Sequence, residues 1–98
     1  MKLHELKIKH EYLVEIVLGN KTFELRKNDR DYQVGDLIHF IDIPSPKRDL
    51  TLSEISRVGS AYIDENTFYR IIYVLKDVPE YGLDKDYCIL GIKKLEIR

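Results

Sequence analysis

The chain has 98 residues, 44% of them apolar and 34% charged, with a formal charge of −1. That length fits one domain, 1–98, with a real core and leaves no room for two. The near-neutral balance argues against a protein that coats nucleic acid without selectivity, and no apolar run approaches the ~20 residues that span a bilayer.

His4-Glu5-Leu6-Lys7-Ile8-Lys9 alternates at period two, which predicts a half-buried strand. Leu6 and Ile8 point inward, Lys7 and Lys9 face water, and His4 shares the inward parity. Glu11 to Leu18 predicts a two-turn helix with Tyr12, Leu13, Ile16 and Val17 on one apolar face. Glu11 suits the positive end of its dipole, and Gly19 stands where a left-handed cap belongs. So short a helix must be held by packing on a sheet.

Thr22 to Asn28 reads as a second strand, with Phe23 and Leu25 on one face and Thr22, Glu24, Arg26 and Asn28 on the other. Asn28-Asp29-Arg30-Asp31 is turn chemistry. Val34-Gly35-Asp36 makes a tight turn into a third strand, Leu37 to Ile43, which Pro44 and Pro46 end. Thr51-Leu52-Ser53-Glu54 fits a capping box that starts a short helix over Leu52, Ile55 and Val58, and residues 59–66 read as a turn region. A long strand follows from Thr67 to Leu75, dense in aromatic and β-branched residues. After a loop at residues 77–86 comes a final strand from Tyr87 to Ile92, with a continuation to Ile97 open. Strands with one early helix point to an α+β chain built on a small, closed or partly closed antiparallel sheet.

Charge is uneven along this frame. Residues 1–30 hold seven Lys/Arg against five acids, and the remainder hold nine against twelve. Lys21 to Arg30 alone has four cations and two anions. A basic patch on a neutral body suits a small or single-stranded ligand better than a duplex.

Gly19-Asn20-Lys21-Thr22-Phe23-Glu24-Leu25-Arg26-Lys27-Asn28-Asp29-Arg30, followed by Val34-Gly35-Asp36, resembles the G-x-K-x-x-E-x-R signature of ASCH (activating-signal-cointegrator homology) domains, which lie in the PUA-like superfamily. It is similar above all to a small bacterial and phage family of that group, of unassigned function, with an E-x-R-K-N-D-R core. His4-Glu5-Leu6-Lys7-Ile8, Gly82-Leu83 and Tyr87-Cys88-Ile89-Leu90-Gly91-Ile92 match it at corresponding places. Residues 44–66 depart from it, where the family has a short turn with a Tyr-Thr-Gly-Arg element. The resemblance implies a PUA-like, mostly antiparallel, partly open β-barrel of about five to six strands. It also implies a cleft between the early helix, the following loop and the barrel wall that takes RNA or a modified nucleotide.

In such a cleft Lys21 supplies a phosphate contact, and Arg26 a bidentate fork to phosphate or a guanine edge. Glu24 either fixes Arg26 and accepts from a base, or forms a surface salt bridge worth ~0.5 kcal/mol. Lys27 and Arg30 grip a backbone or merely solvate the turn. Tyr87, at a strand end, is the preferred stacking or hydroxyl group; Tyr69 and Tyr73 share a strand face and read more readily as packing.

His4, His10 and His39 have no metal-ligand spacing, so no metal or cofactor is expected. The lone Cys88 reads as a small buried hydrophobe, and with no secretory-type segment at Met1-Lys2-Leu3-His4-Glu5 the expected compartment is a reducing cytoplasm. A monomer is favoured.

Some ASCH relatives are amidohydrolases of acetylated cytosine nucleosides, with a threonine nucleophile three residues after the lysine. Here Glu24 stands at that offset, which disfavours acyl transfer. A nuclease using Lys21, Arg26 and Glu24 or Tyr87 stays open, as does a protein-interaction module, phage-encoded, that binds a host factor through residues 44–66.

Overall fold

The computed structural model of the protein describes residues 1–43 and 67–95. In chain order these form β1 (Leu3–Lys9), helix α1 (His10–Val17), β2 (Phe23–Lys27), β3 (Leu37–Ile43), β4 (Phe68–Leu75) and β5 (Tyr87–Lys94). The five strands make one sheet in the order β1-β3-β4-β5-β2, curled into a half-barrel. β1 and β3 run parallel, and the other three pairings are antiparallel. The strand-rich chain with a short helix after its first strand is what the periodicity predicts. The expected helix over Leu52, Ile55 and Val58 and the turn region 59–66 lie outside the described residues; the final strand does continue past Ile92, as far as Lys94, and residues 96–97 lie outside them.

Period two places the core. His4, Leu6 and Ile8 of β1 are buried, as are Tyr69 and Ile71 of β4 and Cys88, Leu90 and Ile92 of β5. Ile38 and Phe40 of β3 join them, and α1 covers this concave side with Leu13 and Ile16.

The face that α1 buries differs from expectation: Leu13, Val14 and Ile16 are buried, whereas Tyr12 is 47% exposed. Val14 takes the inward place expected of Tyr12, while Leu13 and Ile16 stay buried and Val17 partly so. Tyr12 can stand outside because its ring has another partner, the Lys21 ammonium 5.6 Å from its centroid. Its C-terminus is closed as Gly19 predicts. Gly19 has φ +80°, and its N–H donates to the Ile16 carbonyl while that of Asn20 donates to Glu15, at 3.0 and 2.9 Å. These are the two bonds of a Schellman cap, and the Asn20 side chain adds a third contact to Glu15 Oε2 at 3.0 Å.

A register shift in β4 sets Ile71 opposite Ile92 and Tyr73 opposite Gly91. The extra residue, Ile72, bulges. A Cβ on Gly91 would lie 3.2 Å from the Tyr73 Cβ, so glycine lets the two strands pair closely there.

Candidate functional site

β2 has the alternation its sequence shows, but with the charged face turned in. Phe23 and Leu25 are 46% and 55% exposed, and Glu24 is 5% exposed. Register dictates this: Glu24 lies opposite Leu90 and Arg26 opposite Cys88, both core residues of β5. A buried carboxylate must be paired, and Glu24 is paired on both oxygens. Lys21 Nζ donates to Oε1 at 2.5 Å, and Arg26 reaches Oε2 through Nε at 2.8 Å and Nη2 at 2.7 Å. Lys21 also donates to the Phe23 carbonyl at 2.8 Å and sits over the Phe23 ring, 5.1 Å from its centroid. The Lys21 ammonium and the Arg26 guanidinium are therefore both in direct contact with the Glu24 carboxylate.

Arg26 has a further role. β1 and β2 are the two edges of the sheet, and Arg26 Nη2 donates across that gap to the Lys7 carbonyl at 2.6 Å. Arg30 Nη1 donates to the Glu5 carbonyl at 3.0 Å. Residues two apart on a strand aim their carbonyls the same way. Two guanidiniums thus stand where a closed barrel would have a backbone ladder. Beside them Tyr32 is buried against His4, with ring centroids 4.8 Å apart. Burial pushes the Tyr32 pKa up, against the smaller downward pull of Arg30 and Arg26.

Next to this cluster a hollow of about 260 Å³ opens between the end of α1, the loop after it and the wall of β4 and β5. Ile16, Val17, Tyr69 and Ile92 give it apolar lining, and Thr22, Thr67, Lys21, Lys93 and Lys94 complete its rim; of the two successive lysines of β5, Lys94 shares the strand parity of buried Ile92. Lys93 and Lys94 are exposed. Burial raises the Tyr69 pKa, so that side chain stays a neutral phenol.

The residues singled out in the sequence thus divide into three places. Lys21 alone lines the hollow. Glu24 and Arg26 adjoin it through Lys21, and Arg30 is committed to the seam. Lys27 and Tyr87 are register partners and both are exposed, on the outer face with Leu25. They do not join the cleft, because period two sends odd positions of β2 away from Glu24 and Arg26. Sequence reasoning missed Lys93, Lys94 and Thr67 as lining groups. The signal available was the lysine pair that ends an otherwise apolar final strand.

Two histidines have carboxylate partners: His4 Nε2 with Asp36 Oδ2 and His10 Nδ1 with Asp42 Oδ2, each at 2.9 Å. Among the described residues no three His, Cys, Asp or Glu side chains gather as a ligand set, and no helix is long and apolar enough to cross a membrane.

Fold and site together define a curled, strand-rich domain with a lysine-lined hollow at its helix end. The chain belongs to the family described as a domain of unknown function (DUF3850), whose model matches residues 3–92. Among curated proteins none matches it.

Proposed function

We propose that the protein is an ASCH-type, PUA-like domain that binds a nucleotide or a short single-stranded stretch of RNA in the hollow beside α1. The observation that carries this reading is the composition of the lining. Three lysines and two threonine hydroxyls suit phosphate oxygens, and the apolar wall with Tyr69 suits a base. About 260 Å³ falls just below the usual range of ligand sites, so the hollow takes at most one nucleotide unit while neighbouring units run outside it. Double-stranded nucleic acid has no place in so narrow a space.

Fluorescence anisotropy with labelled single-stranded RNA at several salt concentrations tests the reading. Affinity should fall as salt rises, with a log–log slope of about −0.7 per phosphate contact. Lys93→Ala with Lys94→Ala should flatten that slope and weaken binding. Unchanged binding in this double variant and in Lys21→Ala would falsify the reading.

A protein-interaction module is the second reading, favoured by exposed Phe23, Leu25, Tyr73 and Tyr87 on the outer side of the sheet. Partner capture insensitive to the lysine substitutions would favour it. Cleavage chemistry gains no support from Glu24, because both of its oxygens already hold cations.

A further inference from the structure

Resting on the nucleotide reading of this hollow, we propose that Glu24 is an internal stand-in for the ligand's phosphate and that it selects a terminal phosphate monoester over an internal phosphodiester. Lys21 lines the hollow, yet its ammonium is turned to Glu24 Oε1 at 2.5 Å and the Phe23 carbonyl at 2.8 Å. An incoming phosphate therefore competes with a carboxylate already in place.

The exchange is feasible because Glu24 does not lose its charge partner when Lys21 leaves. Arg26 holds Oε2 through two nitrogens, at 2.7 and 2.8 Å, and is itself anchored on the Lys7 carbonyl at 2.6 Å. Glu24 and Arg26 stay as a neutral pair, and Lys21 moves from one anion to another by side-chain rotation. A phosphodiester brings a single charge, the same as the carboxylate it must displace. A monoester brings about −1.5 to −2 near neutral pH and three acceptor oxygens. The monoester gains from the exchange, its extra charge meeting Lys21 beside the lysine-bearing end of β5; the diester gains little.

Calorimetric titration of the full chain with two uridine dinucleotides, one carrying a 5′-phosphate and one with only its internal phosphodiester, tests this without any variant having to fold. At pH 7.5 the phosphorylated probe should bind at least about tenfold more tightly. Glu24→Gln removes the competing charge while keeping an acceptor for Arg26. It should raise affinity for the unphosphorylated probe several-fold and narrow the gap, and Lys21→Ala should abolish the preference. Equal binding of the two probes by the wild-type chain overturns the selection. So does a Glu24→Gln chain that keeps the wild-type ratio or weakens both probes as Lys21→Ala does, since Glu24 would then be a fixed support for Lys21. If neither probe binds the wild-type chain or Glu24→Gln at millimolar concentration, the nucleotide reading itself fails.

Discussion

Arg26 donates from β2 to the Lys7 carbonyl on β1 at 2.6 Å, joining two strands that the sheet leaves at opposite edges. The same guanidinium neutralises Glu24. One side chain thus ties the charge cluster to the barrel seam, and the cluster and the seam should respond together.

Arg26→Ala should lower stability by about 2–4 kcal/mol, because it removes charge-assisted bonds and leaves Glu24 with Lys21 alone. Arg26→Lys should recover less than half, since an ammonium cannot hold Glu24 and the Lys7 carbonyl in one planar fork. Urea unfolding measures the loss, and amide exchange in β1 should quicken first.

Asp36 makes stability depend on acid pH. Burial alone would raise its pKa, but hydrogen bonds from His4 and from the Lys2 and Gln33 amides outweigh burial and leave it lowered. A folded-state pKa below the unfolded value means that this stability is present above about pH 4 and is lost as pH falls through the folded value. Thermal melts between pH 6 and pH 2 should show the decline. Asp36→Asn should reduce stability by about 1–3 kcal/mol at pH 7 and flatten that part of the profile.

Gly19→Ala should cost about 1 kcal/mol, because a Cβ is strained at φ +80° whatever space surrounds it. Gly19→Asn should cost less, since asparagine tolerates that conformation. Denaturant midpoints rank the three chains. An alanine as stable as glycine would show that the cap is not held in the left-handed form.

Cys88 is 0% exposed, and burial pushes its thiol pKa up. The native protein should resist a thiol-specific chromogenic reagent for hours and react fully in denaturant. Cys88→Ala should be tolerated within about 1–2 kcal/mol. Prompt reaction under native conditions would show that β5 opens readily.

Local pattern carried much of the fold. Leu6 and Ile8 announced the buried face of β1, Gly19 the end of α1, and Val34-Gly35-Asp36 the turn into β3. What stayed hidden depends on partners far along the chain. Asp36 looked like a turn-former, and its bond to His4 spans 32 positions. The alternation in β2 was plain, but which side faces in is decided by Leu90 and Cys88. Val14 displaced Tyr12 because helix rotation is set by the sheet beneath it. Lys21, beside the helix cap, was legible as a residue of the hollow. Lys93 and Lys94 were not, because only the pairing of β4 with β5 brings the end of the last strand to the hollow.

The strand order has a temporal consequence. β2, the second strand to be synthesised, pairs among the described residues with β5 alone, with Glu24 set opposite Leu90. Such distant pairing slows folding, since a long loop must close before any contact compensates for it. On the ribosome the β2–β5 ladder around Glu24 therefore cannot form until β5 has emerged, and the end of the molecule that holds the hollow is completed among the last events of folding.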